Sequence, residues 1–92
     1  MTTPTSPPEY RVEYTTAAAR QVRKLESGIR RRILTAIAAL ANDPRPTGTK
    51  ALQGTPGYRI RIGDYRVLYV VTDDTVTVLI FRVAHRSDVY RT

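Results

Sequence analysis

The stretch Tyr58-Arg59-Ile60-Arg61-Ile62-Gly63-Asp64-Tyr65-Arg66-Val67-Leu68-Tyr69 decides the fold. Up to Ile62, charged and apolar residues alternate with the two-residue period of a half-buried strand, and after Gly63-Asp64 a more apolar run begins. A Gly-Asp pair between two such runs predicts a tight antiparallel hairpin. The period sets Arg59 and Arg61 on one face of the first strand and the isoleucines on the other. Arg66 joins the two arginines if the register turns its side chain to their face.

Beyond Tyr69 the second run continues to Thr72, and a third spans Thr75 to Val83, with Asp73-Asp74 as the turn between them. Val76 to Val83 is too apolar for simple alternation, which predicts a central strand covered at least partly on both faces. Toward the N-terminus, Pro44 to Pro56 holds three prolines and two glycines and predicts an irregular surface connection. Before it, Ile29, Ile33, Ala36, Ile37 and Leu40 form one helical stripe that ends at Asn42, ahead of Asp43-Pro44. Ser27-Gly28 separates it from a shorter helix capped by Thr15 or Thr16. There Ala18, Val22 and Leu25 share a face and Arg20, Arg23 and Lys24 lie opposite. Tyr10 to Tyr14 alternates and predicts a first strand. The order is β-α-α-β-β-β: an α+β fold in which a curved antiparallel sheet carries a helical hairpin on one face.

A chain of 92 residues has room for one core. Residues 1–8, with three prolines and three threonines, read as a disordered leader, and residues 9–92 as a single domain. There is no cysteine to form disulfides or thiolate metal sites, and no apolar run approaches the length of a membrane span. A cytoplasmic protein without a membrane partner is expected. Fifteen Lys and Arg against eight Asp and Glu leave a charge of +7, which favours polyanionic partners. Only Lys24 and Lys50 are lysines. The remaining cations are guanidinium forks suited to bidentate phosphate contacts. A competing reading, compositional bias toward arginine, would explain that preference but not the excess over acids.

The candidate site residues follow from this. Arg59, Arg61 and Arg66, with Arg82 and Arg86 arriving on the last strand and its exit, form a phosphate cradle if they share the uncovered face. The competing reading is a solvated face with salt bridges to Asp64 or Asp88. His85, the single histidine, is a candidate proton donor or acceptor because histidine titrates near neutrality. Tyr90 could stack on a base or simply pack at the sheet edge. Scattered carboxylates offer no metal site, and Gly54-Thr55-Pro56-Gly57 lacks the ending of a phosphate-binding loop. No cofactor is expected.

The hairpin, the Lys50-Ala51-Leu52 approach to it, the Leu40 to Gly48 helix ending and the closing Val83-Ala84-His85-Arg86-Ser87-Asp88-Val89-Tyr90 together resemble the RelE/ParE superfamily of type II toxin-antitoxin toxins, the RelE branch in particular. The resemblance spans nearly the whole chain. It implies a microbial-RNase-like sheet that cuts translated mRNA in the ribosomal A site without a metal, and a cognate antitoxin as partner. On that resemblance Arg61, Arg66, His85, Arg86 and Tyr90 are the catalytic candidates. Lys50, Arg59, Arg61, Arg66 and Arg82 are the RNA contacts. Arg66 looks like the arginine that holds the scissile phosphate, and His85 or Arg86 like the acid for the leaving 5′-oxygen. Arginine stands where some relatives carry lysine on the second strand, and a guanidinium is a poor base at neutral pH, so the base stays open. The alternatives are a ParE-type poison of DNA gyrase without a nuclease site, and an inactive RNA-binding module.

Overall fold

A computed structural model describes residues 9–89. In chain order the elements are β1 (Arg11–Tyr14), α1 (Thr16–Arg23), α2 (Ser27–Ala39), β2 (Lys50–Ala51), β3 (Tyr58–Ile62), β4 (Tyr65–Thr72), β5 (Thr77–His85) and the short α3 (Arg86–Val89). The α+β class and the β-α-α-β-β-β order hold, with one strand added. The added strand, β2, lies in the proline-rich connection and pairs Lys50 with Arg59 and Ala51 with Tyr58. Sheet order is β1-β5-β4-β3-β2. All neighbours run antiparallel except β1, which joins β5 in parallel from Arg11↔Thr77 to Tyr14↔Ile80. The sheet is therefore mixed rather than wholly antiparallel; the last strand is interior, between β1 and β4, as its apolar run predicts, but the helices cover only one of its faces.

Local chemistry starts both helices. The Thr15 side chain accepts the Ala18 N–H at 3.1 Å, and the Glu26 carboxylate accepts the Gly28 N–H at 2.8 Å. Glu26 thus begins α2 ahead of Ser27-Gly28, so the expected break there sits earlier, at Lys24 to Glu26. One face of each helix packs on the sheet: Ala18, Val22, Ile33, Ile37 and Leu40 meet Ile62, Val67, Tyr69, Val78, Ile80 and Val83 in one buried cluster. Tyr69, Ile33, Leu40, Val67, Val78 and Ile80 are wholly excluded from solvent. Burial on this scale stabilises by ~1.5 to 3 kcal/mol for each large apolar side chain.

Two irregularities set which residues reach the other face. Between Leu68 and Tyr69 the β4–β5 register shifts: Leu68 faces Arg82, whereas Tyr69 faces Ile80, and Phe81 is the extra residue of a bulge. Gly57, just before β3, has φ +132°, and a Cβ there would lie 2.9 Å from the Tyr69 carbonyl oxygen and 3.1 Å from Leu52 Cδ1. Gly57→Ala is expected to destabilise the domain by ~1 to 3 kcal/mol, because backbone strain and the clash act together. Urea denaturation checks this, and an unchanged midpoint would contradict it.

Candidate phosphate-binding site

The register assigns side chains to faces. Arg61 pairs with Arg66, and Arg59 with Leu68, while Ile60, Ile62, Val67 and Tyr69 belong to the buried cluster. Arg59, Arg61 and Arg66 therefore project together from the face the helices leave uncovered. Continuing across β5, Arg66 faces Ala84, and Leu68 faces Arg82. At the other edge Lys50 faces Arg59. Two ladder rows result: Arg61-Arg66-Ala84, and Lys50-Arg59-Leu68-Arg82.

Gly48, Lys50, Arg59, Arg61 and Arg66 line one cavity of about 140 Å³. Four cations around one small hollow suit a ligand that carries several negative oxygens. Arg66 is 7% exposed, so the cavity lining includes a buried arginine and not the surface residue that its place in a hairpin suggests. Arg61 is anchored on the rim, where its Nε donates to the Gly63 carbonyl at 3.3 Å. A buried charge on a rigid central strand costs little reorganisation when it meets an anion.

The other candidates lie elsewhere. Arg82 shares the uncovered face but stands beyond Leu68, outside the cavity. His85 does not join the arginines of the cavity, since it pairs with Tyr65 on the helix-covered face and its ring meets Tyr65 edge-on at 5.3 Å. Its Nδ1 lies 2.9 Å from Ser87 Oγ, and it lines a separate surface hollow with Gln21, Lys24, Leu25, Tyr65 and Arg82. Arg86 lies at the β3–β4 turn: its N–H donates to the Asp64 carbonyl at 2.8 Å, and its Nε is 3.8 Å from Asp64 Oδ1. Tyr90 lies outside the described residues. Among the described residues, no three of His, Cys, Asp and Glu gather in one place. No helix among them is long and apolar enough to cross a membrane.

Sequence reasoning missed the support of this site. Arg45 bridges the connection to the sheet, with Nε donating to the Tyr58 hydroxyl at 3.0 Å and one terminal nitrogen to Asp73 Oδ2 at 3.0 Å. The Tyr10 hydroxyl donates to Asp73 Oδ1 at 2.7 Å. Hydrogen bonds from Tyr10 and then Arg45 hold the Asp73 carboxyl below its usual range. Tyr58 and Asp73 in turn push the Arg45 guanidinium further up. Deeper in, the Tyr69 hydroxyl donates to the Pro44 carbonyl at 2.7 Å. The only sequence signal was tyrosine richness, which does not say what the hydroxyls bind.

A basic, uncovered sheet face backed by a helical hairpin defines a small α+β domain. The model of the ParE toxin family of type II toxin-antitoxin systems, parDE, matches residues 12–90, and the chain belongs to that family, within the RelE/ParE superfamily. It is 38% identical over 86 residues to Toxin RelG of Mycobacterium tuberculosis, covering 89% of this chain and 97% of RelG. Its fold is similar to the toxin-antitoxin complex RelBE2 of M. tuberculosis, with TM-score 0.75, 35% identity, and coverage of 87% of this chain and 94% of the matched one. It is also similar to the archaeal RelE-RelB complex of Pyrococcus horikoshii, with TM-score 0.77, 29% identity, and coverage of 91% and 99%. The protein is a type II toxin of the RelE/ParE family.

Proposed function

We propose that the chain is an endoribonuclease that cuts mRNA during translation, with the Arg59, Arg61 and Arg66 cavity holding the scissile phosphate. The observation that carries this reading is the buried Arg66 guanidinium flanked by Arg61, Arg59 and Lys50 around one hollow on an uncovered sheet. In the reaction the 2′-oxygen attacks the adjacent phosphorus, the bond from phosphorus to the 5′-oxygen breaks, and a 2′,3′-cyclic phosphate and a free 5′-hydroxyl result. The 2′-hydroxyl loses a proton and the 5′-oxygen gains one. The arginines neutralise the charge that builds on the phosphorane, an effect worth several kcal/mol. Alignment of the 2′-oxygen falls to the ribosome, which holds the message. Of the four cations Lys50 alone carries an amine, so it is the one cavity side chain with a proton it can give up.

Arg86, held at the β3–β4 turn by Asp64, is better placed than His85 to neutralise charge on the leaving oxygen, while the proton that oxygen gains comes from solvent. Arg86→Ala is expected to slow cleavage by ~10²-fold or more, and His85→Ala by only a few-fold. Single-turnover cleavage on programmed ribosomes separates them, and a severe His85→Ala with a mild Arg86→Ala would reverse the assignment.

A cognate antitoxin completes the reading. Next to the arginine rows the uncovered face turns apolar: Leu68, Val70 and Leu79 are half-buried there and are not packed into the helix-side cluster. A segment that is acidic on one part and apolar on the next suits this surface. One observation favours a second reading: the matching family model bears the ParE name, and on the resemblance stated above such toxins poison DNA gyrase. Mapping 5′ ends on translated messages after brief expression tests both. New ends within codons support the nuclease. Stalled replication with intact messages overturns it in favour of the gyrase poison.

A further inference from the structure

We infer that Arg45 is a positioning residue for the phosphate cavity: clamped between Tyr58 and Asp73, it fixes the connection that delivers Gly48 and Lys50 to the cavity rim. The inference rests on the reading of that cavity as a phosphate site. Gly48 and Lys50 are the two lining residues that do not belong to the central strands. Lys50 sits on a strand of two residues, whose pairing with Arg59 and Tyr58 is too short to hold the long preceding connection in place by itself.

Several hydrogen bonds hold that connection. At its start the Tyr10 N–H donates to the Ala41 carbonyl at 2.7 Å, and the Arg45 N–H donates to Asp43 Oδ1 at 3.2 Å. The Pro44 carbonyl accepts from the buried Tyr69 hydroxyl, and Thr49 Oγ1 lies 3.4 Å from that Tyr69 hydroxyl. From outside, the Arg45 guanidinium spans the Tyr58 hydroxyl and both Asp73 oxygens, and its charge lies 5.2 Å from the Tyr58 ring centre. Tyr58 is the first residue of β3 and the neighbour of Arg59, with its side chain on the opposite face. The Arg45 to Tyr58 bond therefore ties the connection to the strand that presents Arg59 and Arg61. Asp73 is tied at the same time to β1 through Tyr10. Arg45 thus links β3, the β4–β5 turn and β1 to one point of the connection, shortly before it begins to line the cavity at Gly48 with Lys50 just beyond.

A guanidinium suits this post because its planar fork reaches a hydroxyl and a carboxylate in fixed directions, which a single ammonium does not. The test uses the whole chain, with inorganic phosphate as probe and the amide and guanidinium signals of the cavity arginines followed by NMR. Arg45→Ala and Lys50→Ala are each expected to weaken phosphate binding by roughly 3- to 10-fold. The double variant should bind no more weakly than Lys50→Ala alone, because one residue acts through the other. Arg45→Lys should not restore affinity.

Asp73→Asn separates positioning from bulk charge. Removing a negative charge would tighten phosphate binding by simple electrostatics, whereas a loosened clamp weakens it. Melting curves confirm that each variant is folded, and Asp73→Asn, at an exposed position, serves if Arg45→Ala does not fold. Wild-type affinity in Arg45→Ala, multiplying effects in the double variant, or tighter binding by Asp73→Asn would each overturn the inference. If the unaltered chain shows no phosphate response at these arginines, the reading of the site falls with it. Retained phosphate binding without message cleavage removes only the nuclease.

Discussion

Arg66→Ala is expected to lower cleavage of a ribosome-bound message by ~10²- to 10³-fold while the domain stays folded. Arg66 is 7% exposed and lies on β4 between Arg61 and Ala84, so its guanidinium is held by the sheet before any ligand arrives. A donor fixed in this way contributes most where charge develops during the reaction, and its loss falls on kcat more than on KM. Arg66→Lys keeps the charge but not the planar fork, and should recover only part of the activity. Growth inhibition should disappear in parallel. The decisive comparison pairs a melting curve with single-turnover cleavage: a folded Arg66→Ala chain that cuts at the parent rate places the scissile phosphate elsewhere.

The second large effect concerns stability. Tyr69 is fully excluded from solvent, lies 5.9 Å from the Tyr58 ring, and donates its hydroxyl to the Pro44 carbonyl. Burial of that side chain also pushes its phenol up. Tyr69→Ala removes the ring from the middle of the sheet and is expected to cost ~3 to 5 kcal/mol, by lost transfer energy plus the cavity left behind. Small domains have ~5 to 15 kcal/mol in total, so this variant should be largely unfolded at modest urea. Tyr69→Phe keeps the ring but leaves the Pro44 carbonyl without its donor, and should cost ~1 to 3 kcal/mol. Equilibrium urea unfolding measures both. A Tyr69→Ala cost below about 1 kcal/mol would mean that the connection and the core relax far more freely than their contacts imply.

The β3–β4 hairpin was legible because a two-residue period on either side of a Gly-Asp turn leaves one register that keeps the isoleucines together. The same alternation separated Arg59 and Arg61 from the core. It could not be carried into β5. Counted back from Thr72↔Thr77 without interruption, His85 would face the arginines and Arg82 the helices. The bulge at Phe81 reverses both, sending Arg82 to the uncovered face and His85 to Tyr65. Nothing in Leu79-Ile80-Phe81-Arg82 marks the bulge, since all four residues fit a regular strand. β2 was hidden for a different reason: two residues in a proline-rich stretch carry no periodicity, and the strand exists because the edge of β3 offers partners. Parallel pairing of β1 with β5 was equally silent, because a contact between residues 11 and 77 leaves no local trace.

That pairing bears on how such a chain comes to exist at all. β5 lies between β1 and β4, so the first strand finds no neighbour until residues 77 to 80 have been synthesised. Closing the sheet is a long-range event, in which the loop entropy of the chain between residues 11 and 77 is spent before β1 gains its neighbour. A nascent chain that has not yet released residues 77 to 80 carries its arginine hairpin without the strand beside it. A fragment ending before residue 77 is in the same state permanently. If the toxin cuts the messages being translated around it, its own among them, products that end before residue 77 lack β5 and cannot close the sheet that carries the cavity. The need for this long-range partner would then keep such partial copies harmless.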